Sequence, residues 1–94
     1  MKEKEVLEAA LSAYGSEIQR AVAIEELSEL QKELCKSLRG QTDRQHIAEE
    51  IADVQIMLEQ MMILYELHYD VVAWRWKKVD RLRNRLARDG KNVR

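Results

Sequence analysis

Ile47-Ala48-Glu49-Glu50-Ile51-Ala52-Asp53-Val54-Gln55-Ile56-Met57-Leu58-Glu59-Gln60-Met61-Met62-Ile63-Leu64 is the stretch on which the reading of this chain turns. At about 100° per residue, Ile47, Val54, Met57, Met61 and Leu64 fall on one stripe of an α-helix. Glu50 lies in the middle of that stripe and Asp53 at its edge, whereas Glu49, Glu59 and Glu66 fall on the opposite, polar side. The helix therefore carries ordinary surface acids and two misplaced ones. Burying an unpaired carboxylate is costly, so such a group is normally neutralised, paired or bound to a metal.

Working outward, proline is absent and Gly15, Gly40 and Gly90 are the only strong breakers, which favours long helices over a sandwich, barrel or disulfide scaffold. Val6, Leu7, Ala10, Leu11 and Tyr14 predict a short first helix over residues 2–14. Ser16 with Gln19 reads as a capping box opening a second helix, which ends at Gly40 as a C′ residue. Thr42 with Gln45 repeats the box and opens a third, ending near His68 to Asp70. A basic fourth helix runs from about 70 to 89, stopped by Gly90, and residues 91–94 are expected to fray. The fold class is all-α, an antiparallel helical bundle of three long helices plus a short N-terminal helix, in one domain spanning 1–94.

A chain of 94 residues buries only about two-thirds of its unfolded surface alone, and its long helices carry more apolar surface than one short helix can cover. The bundle is therefore expected to be completed by oligomerisation. The net charge of −1 conceals an asymmetry: residues 1–74 hold 7 Lys/Arg against 15 Asp/Glu, and residues 75–94 hold 9 against 2. An acidic body and a basic end fit either contact between subunits or a site that handles cations and phosphates together. No run is long and apolar enough for a membrane span and the charged start is unlike a signal peptide, so a cytoplasmic location is expected. The lone Cys35 reads as a partly buried small residue.

A second acidic group precedes the first. Glu25, Glu26 and Glu29 extend one side of helix two, while Leu27, Leu30, Leu34 and Leu38 form an apolar stripe on another. If helices two and three are antiparallel, Glu29 and Glu50 stand at about equal axial distances, roughly 15 Å, from the turn. Glu26 with Glu29, and Glu50 with Asp53, each have i, i+3 spacing, which projects two carboxylates from one face. Such a nest of hard oxygen ligands suits Mg²⁺ or Mn²⁺. The competing reading makes the first group solvated helix acids and pairs the second with Arg20, Lys32, Lys36, Arg39 or Arg44.

Glu25-Glu26-Leu27-Ser28-Glu29 followed by Glu50-Ile51-Ala52-Asp53 resembles the EExxE and ExxD signature of the MazG-like all-α nucleoside triphosphate pyrophosphohydrolases. The flanks Ala23-Ile24, Ile47-Ala48-Glu49 and Val54-Gln55-Ile56-Met57-Leu58 are similar to the family's context, over roughly residues 14–86. The resemblance implies Glu26, Glu29, Glu50 and Asp53 as Mg²⁺ ligands, with Mn²⁺ a possible substitute, and Glu25 as a catalytic residue that either supports the ligands from behind or helps to orient water. It implies hydrolysis of an NTP or dNTP to the nucleoside monophosphate and pyrophosphate by a homodimer or homotetramer.

Phosphate binding would draw on the fourth helix, where Lys78, Arg81 and Arg85 can share a face with Trp74. Lys and Arg are also favoured near any helix C-terminus, so a solvated basic face is the plainer alternative. The aromatic residues suit core or interface, or stacking on a base. His46 and His68 lack a Glu-x-x-His relationship, which disfavours a di-iron site. Two other readings compete: a noncatalytic helical oligomer, and a nucleic-acid-binding module using the basic C-terminal helix. The acidic body would repel the same duplex, which counts against the second.

Overall fold

The computed structural model describes residues 1–91, and they form four α-helices: α1 (Glu3–Tyr14), α2 (Ser16–Leu38), α3 (Arg44–Tyr65) and α4 (His68–Arg88). The all-α expectation holds, and no strand occurs among the described residues. Of the tail expected to fray, all but Lys91 lies outside them.

The breakers act as read, but the caps do not. Gly40 (φ 81°) ends α2 in a Schellman arrangement: its N–H donates to the Ser37 carbonyl, and that of Gln41 to Lys36. Gly90 and Lys91 repeat it on Ala87 and Leu86 at the end of α4. Neither expected capping box forms. Ser16 is already helical behind Gly15, and the Gln19 side chain donates instead to Gln60 Oε1 at 2.8 Å. At α3 the cap is Asp43, whose Oδ1 accepts the His46 N–H at 3.0 Å. The third helix also stops earlier than expected, because Glu66 turns left-handed (φ 55°) and α4 starts at His68. A non-glycine residue there is strained by about 1 kcal/mol.

The centre of the molecule is the α2–α3 pair, and its seam has a regular register. Gln19 meets Gln60, Glu26 neighbours Asp53, and Glu33 meets His46, so seven residues forward on α2 match seven back on α3. Those pairs fix the helices as antiparallel. Buried and half-buried positions recur at the same 3.5-residue period: Gln19, Ala23, Glu26, Leu30, Glu33 and Ser37 on α2, and His46, Glu50, Asp53, Met57, Gln60 and Leu64 on α3, with buried Val54 beside them. Most of these side chains are polar. Helix α1 lays Leu7 against this pair near Ala52 and Ile56, and Leu7, Ala23, Val54 and Met57 are the buried apolar residues.

Of the two sides on which α2 can pack, the acidic one forms the seam and the leucine stripe is left uncovered by this chain. Leu27 and Leu34 are exposed and Leu38 is 87% exposed, with only Leu30 turned partly inward. The seam runs along the polar side, where Gln19 pairs with Gln60 and Glu33 with His46 across the helices, and the leucines stay outside. Cys35, expected to be partly buried, is also exposed. Helix α4 packs on α3 alone among the described residues, fastened at its start by His68 Nε2 against Glu59 Oε1 at 2.8 Å. Among the described residues, no helix is long and apolar enough to cross a membrane.

Candidate metal centre

The three central acids of the two motifs converge. Glu26 comes from α2, Glu50 and Asp53 from α3, and one carboxylate oxygen of each lies within 4.8 Å of the others. Three elements of the sequence bring this about. Glu26 sits at a seam position of α2; Glu50 and Asp53 are successive seam positions of α3; and the Gly40 turn sets the register that levels them. Glu50 is 6% exposed. Its Oε1 lies 3.4 Å from His46 Nε2, and its buried Oε2 has no hydrogen-bond partner.

Burial raises the Glu50 carboxyl above the ordinary glutamate value; Asp53 adds to the rise, as do Glu29 and Glu49 more weakly, and His46 opposes it. Glu26 is raised as well, first by burial, then by Asp53 through charge and a hydrogen bond, and further by Glu50 and Glu25. Repulsion between the acids is the second cause for both groups. A divalent cation among Glu26, Glu50 and Asp53 would remove that repulsion and give the unpartnered Glu50 oxygen a partner. An all-carboxylate donor set fits Mg²⁺ or Mn²⁺, which prefer oxygen and retain water.

Of the other expected ligands, Glu29 is half-buried and acts on Glu50 through its charge, while staying outside the three-residue cluster. Glu25 is exposed at the rim beside Glu26. Lys78, Arg81 and Arg85 lie on α4, which makes no packing contact with α2, so the chain does not by itself gather them around the carboxylates. Lys78 Nζ stands 6.0 Å from the Trp74 ring centroid, within cation–π reach. Trp74, Trp76 and Tyr69 are all exposed.

Two residues that the sequence reading passed over belong to this neighbourhood. Glu33 reads as a surface acid in Gln31-Lys32-Glu33-Leu34, yet it is 3% exposed, the most buried polar residue. His46 reads as a bystander to a cap, yet it reaches both Glu33 and Glu50. The signal that marks them is the repeat of polar residues at intervals of seven, Gln19, Glu26, Glu33 and His46, Asp53, Gln60, arranged symmetrically about the turn.

The raised carboxyls set a pH dependence. A glutamate with a higher value in the folded state holds its proton longer there, so its stabilising contribution is complete below the unfolded value, near 4.5, and is lost as pH rises through the folded value. Melting curves in EDTA should therefore show a downward trend in Tm as pH rises from just above 4.5 towards neutrality. Saturating Mg²⁺ should flatten or invert that trend, because the bound ion favours the ionised carboxylates. Parallel curves with and without Mg²⁺ would contradict a metal at these acids.

Comparison of the chain with known protein families, with characterised proteins and with solved structures finds no match.

Proposed function

We propose that the chain is a Mg²⁺-dependent nucleotide pyrophosphohydrolase that converts a nucleoside triphosphate and water into a nucleoside monophosphate and pyrophosphate. The observation that carries this reading is the convergence of Glu26, Glu50 and Asp53, together with a buried oxygen of Glu50 that has no partner. The resemblance of the two motifs to the MazG-like signature supports it independently of the geometry. Glu26, Glu50 and Asp53 hold the ion in this scheme, and Glu29 adds negative charge from the following turn of α2. Glu25, exposed at the rim, orients water for cleavage of the α–β phosphoanhydride. The bound ion supplies Lewis-acid stabilisation of charge on the phosphoryl oxygens and a more acidic water. Lys78, Arg81 and Arg85 neutralise the phosphates, and since α4 stands away from α2 they are drawn from a neighbouring copy.

The surface favours that assembly. The chain exposes 7950 Å², whereas a compact monomer of its mass exposes about 5,700 Å². Its radius of gyration is 16.6 Å, against about 12 Å for a compact domain of this length. The excess per chain is about three times what one standard interface covers on each partner, which suits a large obligate interface or more than one contact, and the acidic body and basic α4 are complementary. We therefore read the active form as a homodimer or homotetramer.

Incubation with a panel of NTPs and dNTPs, with products separated by anion-exchange chromatography, tests the reaction. Pyrophosphate and monophosphate should appear with Mg²⁺ or Mn²⁺ and vanish with EDTA. Orthophosphate as the first product would mean a different phosphohydrolase, and the absence of product from every nucleotide would remove the substrate class.

A further inference from the structure

Among the side chains outside the three-acid cluster, Glu33 is the one whose burial demands a reason. Its Oε1 lies 3.0 Å from His46 Nδ1 and 3.3 Å from Lys36 Nζ, while its Oε2 is buried without a partner. The other ring nitrogen, His46 Nε2, is 3.4 Å from Glu50 Oε1. One imidazole thus spans two buried carboxylates, one from each helix. Its own backbone is fixed at the first turn of α3, where the His46 N–H donates to the Asp43 cap. The His46 backbone is fixed, its Nδ1 lies against Glu33, and Nε2 faces Glu50.

We propose that Glu33 and His46 are positioning residues for Glu50: Glu33 holds the ring, the ring holds Oε1 of Glu50, and Oε2 is left presented to the divalent ion. This rests on the reading of Glu26, Glu50 and Asp53 as metal ligands. A glutamate has three side-chain torsions to fix before it can ligate, and a side chain already held loses less rotamer freedom on binding. Residues that orient ligands in this way typically change metal affinity about 10–100-fold when removed. Neither residue has to touch nucleotide or ion. A plain structural tie between α2 and α3 would show itself in stability, and a plain counter-charge would show the opposite sign in affinity. Removing a positive group beside Glu50 would leave the carboxylate more attractive to a cation.

The test is Mn²⁺ titration of the full chain, followed by the paramagnetic resonance signal of free Mn²⁺, with Tm measured on each variant. In H46N the amide takes the place of Nδ1 and keeps the link to Glu33 but does not reach Glu50. Mn²⁺ binding should weaken about 10–100-fold with Tm little changed. H46Q places its amide where Nε2 stood and should recover most of that affinity. E33Q should weaken Mn²⁺ binding in the parent chain and add nothing in the H46N background, because it acts through the ring. Unchanged or tighter binding in H46N, equal losses in H46N and H46Q, or additive losses with E33Q would overturn the proposal while leaving the metal centre intact. A parent chain that binds no Mn²⁺ would overturn the metal centre, and this positioning role with it.

Discussion

Substituting Glu50 by Gln is expected to lower kcat/KM for nucleotide hydrolysis by about 10³-fold or more, equivalent to about 4 kcal/mol of transition-state stabilisation. The amide removes one of three converging carboxylates and the one oxygen in the cluster that is buried without a partner. Mn²⁺ binding should fall with turnover, since in the proposed reading both depend on the same oxygen. Stability of the metal-free protein should move the other way. Glu50 and Glu26 are both raised by burial and by repulsion from Asp53, and neutralising one member relieves the rest. The opposite signs separate this outcome from misfolding, which would lower activity and Tm together. E17Q, at an exposed acid in the first turn of α2, serves as the control and should leave Mn²⁺ affinity, Tm and turnover unchanged. A Glu50→Gln protein with parental Mn²⁺ affinity would sink the assignment of the centre to this residue.

How far the sequence reached can be judged from individual positions. Glu50 was legible because it interrupts an apolar stripe, and a charged residue on a buried face contradicts its surroundings. Gly40 and Gly90 were legible because a left-handed helix stop has a strong glycine preference. Glu33 and Gln19 were not, because each lies among other polar residues and nothing in the local pattern distinguishes a satisfied seam residue from a solvated one. What buries them is a partner on the other helix: His46 for Glu33, and Gln60 for Gln19. The leucines of α2 show the complementary limit. Apolar spacing shows that a face needs covering and is silent on whether the same chain covers it.

The polar seam also ties function to marginal stability. A core of Leu7, Ala23, Val54 and Met57 is small, and the seam layers around it contribute hydrogen bonds and ion pairs whose net worth is modest. An apolar seam would hold α2 to α3 more firmly and would contain no centre. The chain keeps its carboxylates together between two helices and leaves apolar surface uncovered on the leucine side of α2 and along α4.

Helix α4 is where that dependence should be largest. Val72, Trp76 and Val79 line one side of it and Val71, Trp74 and Leu82 an adjoining one, all exposed. A helix of 21 residues with so little support from its own chain is marginal in water, because most helix stability comes from packing an amphipathic face. Val79 borders both grooves. V79D would place an unpaired carboxylate in the contact, at a cost of several kcal/mol, and should weaken self-association by about 10²-fold or more. Sedimentation should show the parent chain as a dimer or tetramer at micromolar concentration and the variant as a monomer, with helical content reduced by part of α4. Turnover should fall with the loss of assembly, since Lys78, Arg81 and Arg85 reach phosphate only from a neighbour in this scheme. Mn²⁺ affinity should survive, because Glu26, Glu50 and Asp53 all lie in the α2–α3 pair of one chain. A parent chain that sediments as a monomer would remove the assembly. A V79D chain that stays associated and active would place the interface elsewhere, with the leucine side of α2 as the remaining apolar face.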